Sequence, residues 1–161
     1  MRQLPFYAGL VVVLVAIDQW IKYLVETRLV LHEMVELLPF LALYRTYNTG
    51  VAFSMFASFS DTILIVVSIA VIVFILYLAS RSTSRQWFAR IGFTLIIGGA
   101  LGNLIDRAVY GHVIDYTFLH TPVWSFAVFN LADVFITIGA GMVLLEEFLL
   151  WRHQRSKGST R

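Results

Sequence analysis

Residues 129–145 read FNLADVFITIGAGMVLL, an apolar run that opens on an asparagine and an acid. Continued to Leu150 it is long enough to cross a bilayer, since a membrane helix needs roughly 20 apolar residues to span about 30 Å of hydrocarbon. Asp133 stands where the run begins, and Asn130 stands three residues before it. The pattern Asn-Leu-x-Asp also occurs in GNLIDR, residues 102–107, again at the end of an apolar segment. Acids placed at the mouths of apolar helices point to a membrane fold with chemistry at one of its faces.

The rest of the chain agrees with a bilayer as solvent. Of its 161 residues 59% are hydrophobic and 14% charged, with a mean hydropathy of +0.80. Soluble domains are nearer half apolar and a quarter charged. Four segments are long enough to span: residues 4–25, 62–79, 87–105 and 131–150. The first carries Asp18 and Lys22 within its apolar run and is not followed by a small-x-small site, so it is read as a mature span and not a cleaved leader. The expected architecture is one membrane domain, mainly α. It has four transmembrane helices, a small β-rich surface element facing outward and a short interfacial helix.

Lysines and arginines set the expected orientation. The second connection holds Arg81, Arg85 and Arg90, the tail holds Arg152, Arg155, Lys157 and Arg161, and Arg2 precedes the first span. Both termini are therefore expected in the cytoplasm, with residues 152–161 a polar and disordered tail. The connections over residues 26–61 and 106–130 would face outward. In the first of these, VELLPFLALYRTYN suggests short surface strands, and VAFSMFASF, residues 51–59, a short interfacial helix. The basic balance reads as topology, because no basic stripe with interleaved aromatics points to nucleic acid. Cysteine is absent, which excludes disulfides, thiolate metal sites and a cysteine nucleophile. The four histidines, at 32, 112, 120 and 153, lack metal-ligand spacing.

An ionisable side chain at membrane depth needs a partner or a role. Asp18 and Lys22 are four apart, share a helix face and can pair. Gly98, Gly99 and Gly102 allow close helix contact. Asp106 has Arg107 beside it, which suits a structural clamp, whereas Asp115 lies in VIDY among apolar neighbours that raise a carboxylate's pKa. Asn130 suits the cap of the fourth span, and Asp133 its first turn. Two carboxylates brought together share a proton and can activate a water for attack on a peptide carbonyl. Asn48, Asn103, Asn130 and Arg107 could line such a site. On spacing alone, either Asp106 or Asp115 could partner Asp133. A small proton-coupled transporter and a purely structural membrane subunit also remain open, although the transporter's usual internal repeat is missing.

In their order along the chain, DQWIK at 18–22, NTGVAF at 48–53, GGALGNLIDR at 98–107, VIDY at 113–116 and FNLAD at 129–133 resemble the lipoprotein signal peptidases (signal peptidase II). The resemblance covers nearly the whole chain. It implies an intramembrane aspartyl endopeptidase of the bacterial inner membrane, active near the outer face. Such enzymes cut prolipoproteins just before a diacylglyceryl-modified cysteine and need no metal or cofactor. Carried over by motif, Asp115 and Asp133 form the dyad, and Asn48, Asn103, Arg107 and Asn130 line the site. Asp18, Lys22, Asp106, Gly99 and Gly102 support it. The implied partners are the lipidated substrate and membrane lipid, and the expected state is a monomer.

Overall fold

The computed structural model describes residues 4–50, 61–83 and 85–158. Its elements in chain order are α1 (Leu4–Arg28), β1 (Met34–Leu38), β2 (Leu41–Asn48), α2 (Asp61–Arg81), α3 (Trp87–Tyr110), β3 (Val113–Thr121), β4 (Trp124–Ser125) and α4 (Leu131–Gly158). The four helices are long and apolar enough to cross a membrane. Helix α3 is the centre of the bundle: 56% of its most apolar stretch is buried, against 6% for α2. Val66, Val67, Val73, Phe74 and Leu76 of α2 are exposed, as expected where lipid replaces water as the neighbour of an apolar face.

Small residues let the helices close on one another. A Cβ on Gly99 would collide with the Ala132 carbonyl of α4, and one on Gly102 with the Asp18 carboxylate of α1. Without a hydrophobic force between helices in lipid, this close backbone approach is a main source of packing. It also brings the polar residues of α1, α3 and α4 to one place.

The predicted surface strands are present as a four-stranded antiparallel sheet in the order β1-β2-β3-β4. Strand β2 pairs with β3 so that Asn48 lies opposite Val113 and Thr46 opposite Asp115. The sheet is seated on the end of α1, where Ile114 and Tyr116 pack with Val25. Arg45 of β2 reinforces this junction, donating to the carbonyls of Glu26 at 3.0 Å and Leu29 at 2.9 Å.

Two expectations change. Helix α3 runs on to Tyr110, five residues past the expected end at 105, so Asp106 and Arg107 lie in its last turns and not in a connection. The tail is not disordered up to Gly158, because α4 continues through it as helix. The interfacial helix expected at 51–59 lies outside the described residues.

Candidate active site

The site begins with the way α3 ends. Gly111 takes the left-handed conformation, φ 75°, and its N–H returns to the Arg107 carbonyl at 3.1 Å. This glycine cap stops the helix and sends the chain directly into β3. Four residues later Asp115 is held over the helix ends, 2% exposed. Strand β3 then pairs with the segment before α4: the Phe129 N–H donates to the Thr117 carbonyl at 3.0 Å. That pairing fixes where α4 starts.

The first amides of a helix have no partner within it, and at α4 the site residues supply them. Leu131 N–H donates to the Tyr116 hydroxyl at 3.1 Å, Ala132 N–H to Asp18 Oδ1 at 3.1 Å and Asp133 N–H to Asn130 Oδ1 at 3.1 Å. The Asp133 carboxylate returns the contact by accepting the Asn130 N–H at 3.1 Å. Asn130 and Asp133 therefore form a reciprocal capping box with an acid in the third helical position. The expected helix-cap role of Asn130 is present, alongside a second one. Its Nδ2 donates to Asp115 at 2.6 Å, so this one residue touches both candidate catalytic acids.

The other asparagines complete the arrangement. Asn48 donates to Asp115 Oδ2 at 2.9 Å, and Asn103 donates to Asp133 Oδ1 at 2.8 Å. Both carboxylates thus receive N–H donors. Burial, followed by the nearby charge of Asp133, pushes Asp115 up to about 6, while the Asn48 and Asn130 bonds pull it the other way. Tyr116 is pushed up to about 12, chiefly by burial, and stays a neutral phenol at the base of the site.

Beneath the two acids lies a buried ion cluster. Lys22 Nζ is 2.9 Å from Asp18 and 2.7 Å from Asp106, and 2.9 Å from Asn103 Oδ1. Asp18 and Asp106 are 0% exposed and Lys22 1%. Such charges survive burial only with good geometry and their remaining lone pairs satisfied. Here Asp18 takes the Ala132 N–H, and Asp106 takes the Ile114 N–H at 3.2 Å and Gln19 Nε2 at 2.8 Å.

Proximity along the sequence suggested Arg107 as the cation of Asp106, and that is corrected: Asp106 pairs with Lys22, because successive helical residues point in different directions. Arg107 instead reaches back to the Asn103 carbonyl at 3.5 Å, and its Nε lacks a hydrogen-bond partner among the described residues. Gln19 and Tyr116 were missed as site residues. Gln19 carried a signal, being a polar residue inside an apolar span; Tyr116 carried none beyond standing next to Asp115.

A mainly apolar cleft of about 300 Å³ adjoins Asp133, lined by Leu119, Trp124, Phe126, Phe129, Val134 and Ile138 among others. A larger cavity of about 580 Å³ lies between α1, α2 and α3 near Arg90 and contains none of the acids. Among the described residues no cluster of three or more His, Cys, Asp or Glu side chains is grouped to hold a metal ion.

Comparison with known proteins bears on what this arrangement is. A family model described as "Signal peptidase (SPase) II" matches residues 10–149. A lipoprotein signal peptidase of Mesorhizobium japonicum is 63% identical over 156 residues, covering 97% of this chain and 93% of the relative. One of Brucella ovis is 56% identical over 157 residues, covering 96% and 98%. Among solved structures, a bacterial membrane enzyme determined in meso at 2.3 Å superposes with a TM-score of 0.80 at 27% identity, covering 90% of this chain and 88% of its own. Another, at 1.9 Å, gives 0.79 at 26% identity, covering 88% and 92%.

Proposed function

This chain belongs to the signal peptidase II family, and from that premise we propose that it is an intramembrane aspartyl endopeptidase with Asp115 and Asp133 as its catalytic dyad. Its substrate is a prolipoprotein, cut just before the diacylglyceryl-modified cysteine. One observation carries the reading. Two carboxylates from different elements are drawn together through Asn130, each receiving N–H donors, and the more buried of them is pushed up to about 6. A pair of acids held this way shares a proton.

The reaction follows from that sharing. Asp133, half-buried and beside the cleft, takes a proton from a water whose oxygen forms the new bond to the peptide carbonyl carbon. Asp115 gives its proton to the carbonyl oxygen as the C=O π electrons move there. When the tetrahedral species collapses, the C–N bond breaks, the amine nitrogen takes the proton from Asp133, and one hydroxyl returns its proton to Asp115 as the C=O bond re-forms, so the dyad is left with one proton again. Arg107, whose Nε–H has no partner among the described residues, holds a substrate carbonyl. Asn48, Asn103 and Asn130 hold the two acids in place and line the site.

An apolar cleft at the helix ends suits a substrate whose signal helix and acyl chains stay in the bilayer while its scissile bond meets water. The arginine-rich end of the bundle lies opposite the dyad. This supports cytoplasmic termini and a site near the periplasmic face of the inner membrane. To test the reading, purified protein in detergent is given a diacylglyceryl-modified prolipoprotein and the products are sized. Wild-type cleavage, abolished in Asp115→Asn and in Asp133→Asn with folding retained, supports it. Normal cleavage by either variant removes that residue from the dyad.

A further inference from the structure

An asparagine amide can turn end for end with almost no change in shape, so what it shows a carboxylate must be fixed from its other side. For two of the three asparagines here, a backbone N–H does this. Asn48 Oδ1 accepts the Gly50 N–H at 2.8 Å, and Asn130 Oδ1 accepts the Asp133 N–H at 3.1 Å. Each then has only its NH₂ left for Asp115.

Asn103 is different. Its Oδ1 accepts from the Lys22 ammonium at 2.9 Å and from Asn130 Nδ2 at 3.2 Å. No backbone N–H is among these partners, and the second donor makes the longer bond of the two, from an amide that already gives a bond of 2.6 Å to Asp115. The group that can only donate is the ammonium. Lys22 has three N–H bonds and three acceptors, at 2.7 to 2.9 Å, so it is saturated and cannot swing away. A buried ammonium needs an acceptor for its third N–H, and here that acceptor is the Asn103 amide oxygen.

We propose that Lys22 is a positioning residue for hydrolysis, locking the Asn103 amide so that it donates to Asp133. This rests on the dyad reading above. Without the ammonium only the longer Asn130 contact is left to keep the amide from turning its oxygen toward Asp133. The carboxylate then loses one of its two donors, and its orientation toward the attacking water is no longer fixed. Lys22 never touches the substrate; it acts through Asn103.

The test measures kcat and KM on the lipidated prolipoprotein for four variants: Lys22→Met, Lys22→Met/Asp106→Asn, Asn103→Ala and Lys22→Met/Asn103→Ala. The second removes a buried cation and a buried anion together, which protects the fold where Lys22→Met alone leaves two acids uncompensated. In whichever lysine variant folds, kcat is expected to fall on the order of 10²-fold, the effect of a small misplacement at a reacting centre, with KM little changed. Adding Lys22→Met to Asn103→Ala should lower kcat no further, because residues acting through one contact are not additive. Equal losses with and without Asn103 overturn the proposal, as does an unchanged kcat in a folded lysine variant. Failure of both lysine variants to fold would overturn it too, assigning Lys22 to stability. Normal cleavage by Asp115→Asn or Asp133→Asn would instead sink the dyad, whatever Lys22 does.

Discussion

The two Asn-Leu-x-Asp sequences, at the end of α3 and the start of α4, share a pattern and differ in what surrounds them. In the α3 copy Asp106 meets Lys22 at 2.7 Å and is fully buried. In the α4 copy Asp133 meets two N–H donors and borders an apolar cleft. One acid is paired with a cation inside the protein; the other borders an open cleft. The asparagines differ less. Both contribute to the site, Asn103 through Asp133 and Asn130 through both acids. A short motif therefore names the residue types, and the neighbour supplied by another helix assigns the role.

The contrast can be broken most severely at the acids. Replacing Asp133 by Asn should lower kcat by at least about 10³-fold, within the range for loss of a general acid or base. Thermal unfolding should stay close to wild type. Combining it with Asp115→Asn should cost little more, because residues acting as a unit are not additive. A double variant far below either single one would mean that the two acids work separately.

At the other copy the loss should appear in stability. Asp106→Ala removes a partner from a buried cation, a change that typically costs about 3 kcal/mol or more. Denaturant unfolding in detergent reads this directly. The fraction that remains folded should still cleave, and a folded but inactive Asp106→Ala protein would erase the distinction between the two acids.

Helix approach comes next. Gly102→Ala places a methyl against Asp18 and should destabilise by about 1–3 kcal/mol, as overpacking does. Unchanged unfolding would show that α1 and α3 can separate without disturbing the cluster.

The smallest effect sharpens the α4 side. In the proposed mechanism activity requires the proton on Asp115, so the alkaline limb should begin near its value of about 6. The Asn48 bond lowers that value. Asn48→Ala therefore raises it, keeps the proton to higher pH and moves the limb upward. One hydrogen bond of about 0.5–1.5 kcal/mol corresponds to about half a pH unit to one unit. A limb that moves downward in a pH-rate profile would mean that Asn48 does not serve the ionised form.

Four apolar spans and strands in the connection between the first two of them were legible from composition, run length and alternation. The resemblance gave Asp115 and Asp133 as the acids to weigh, where spacing alone left Asp106 in play. Adjacency misled at Asp106, since neighbours along a helix diverge in space. It was equally silent about Tyr116, whose use at Leu131 depends on strand pairing with the chain before α4.

The sequence by itself determined that this chain lives in a bilayer, because hydrocarbon admits only long apolar helices with their backbones internally bonded. It also determined which polar residues must be accounted for, because each is costly at that depth. Only the tertiary structure decided which acid is paired with a cation and which borders the open cleft. That choice rests on contacts between residues more than eighty positions apart, where the glycines of α3 bring Lys22 of α1 against Asp106. No local pattern records which charges will meet when helices pack.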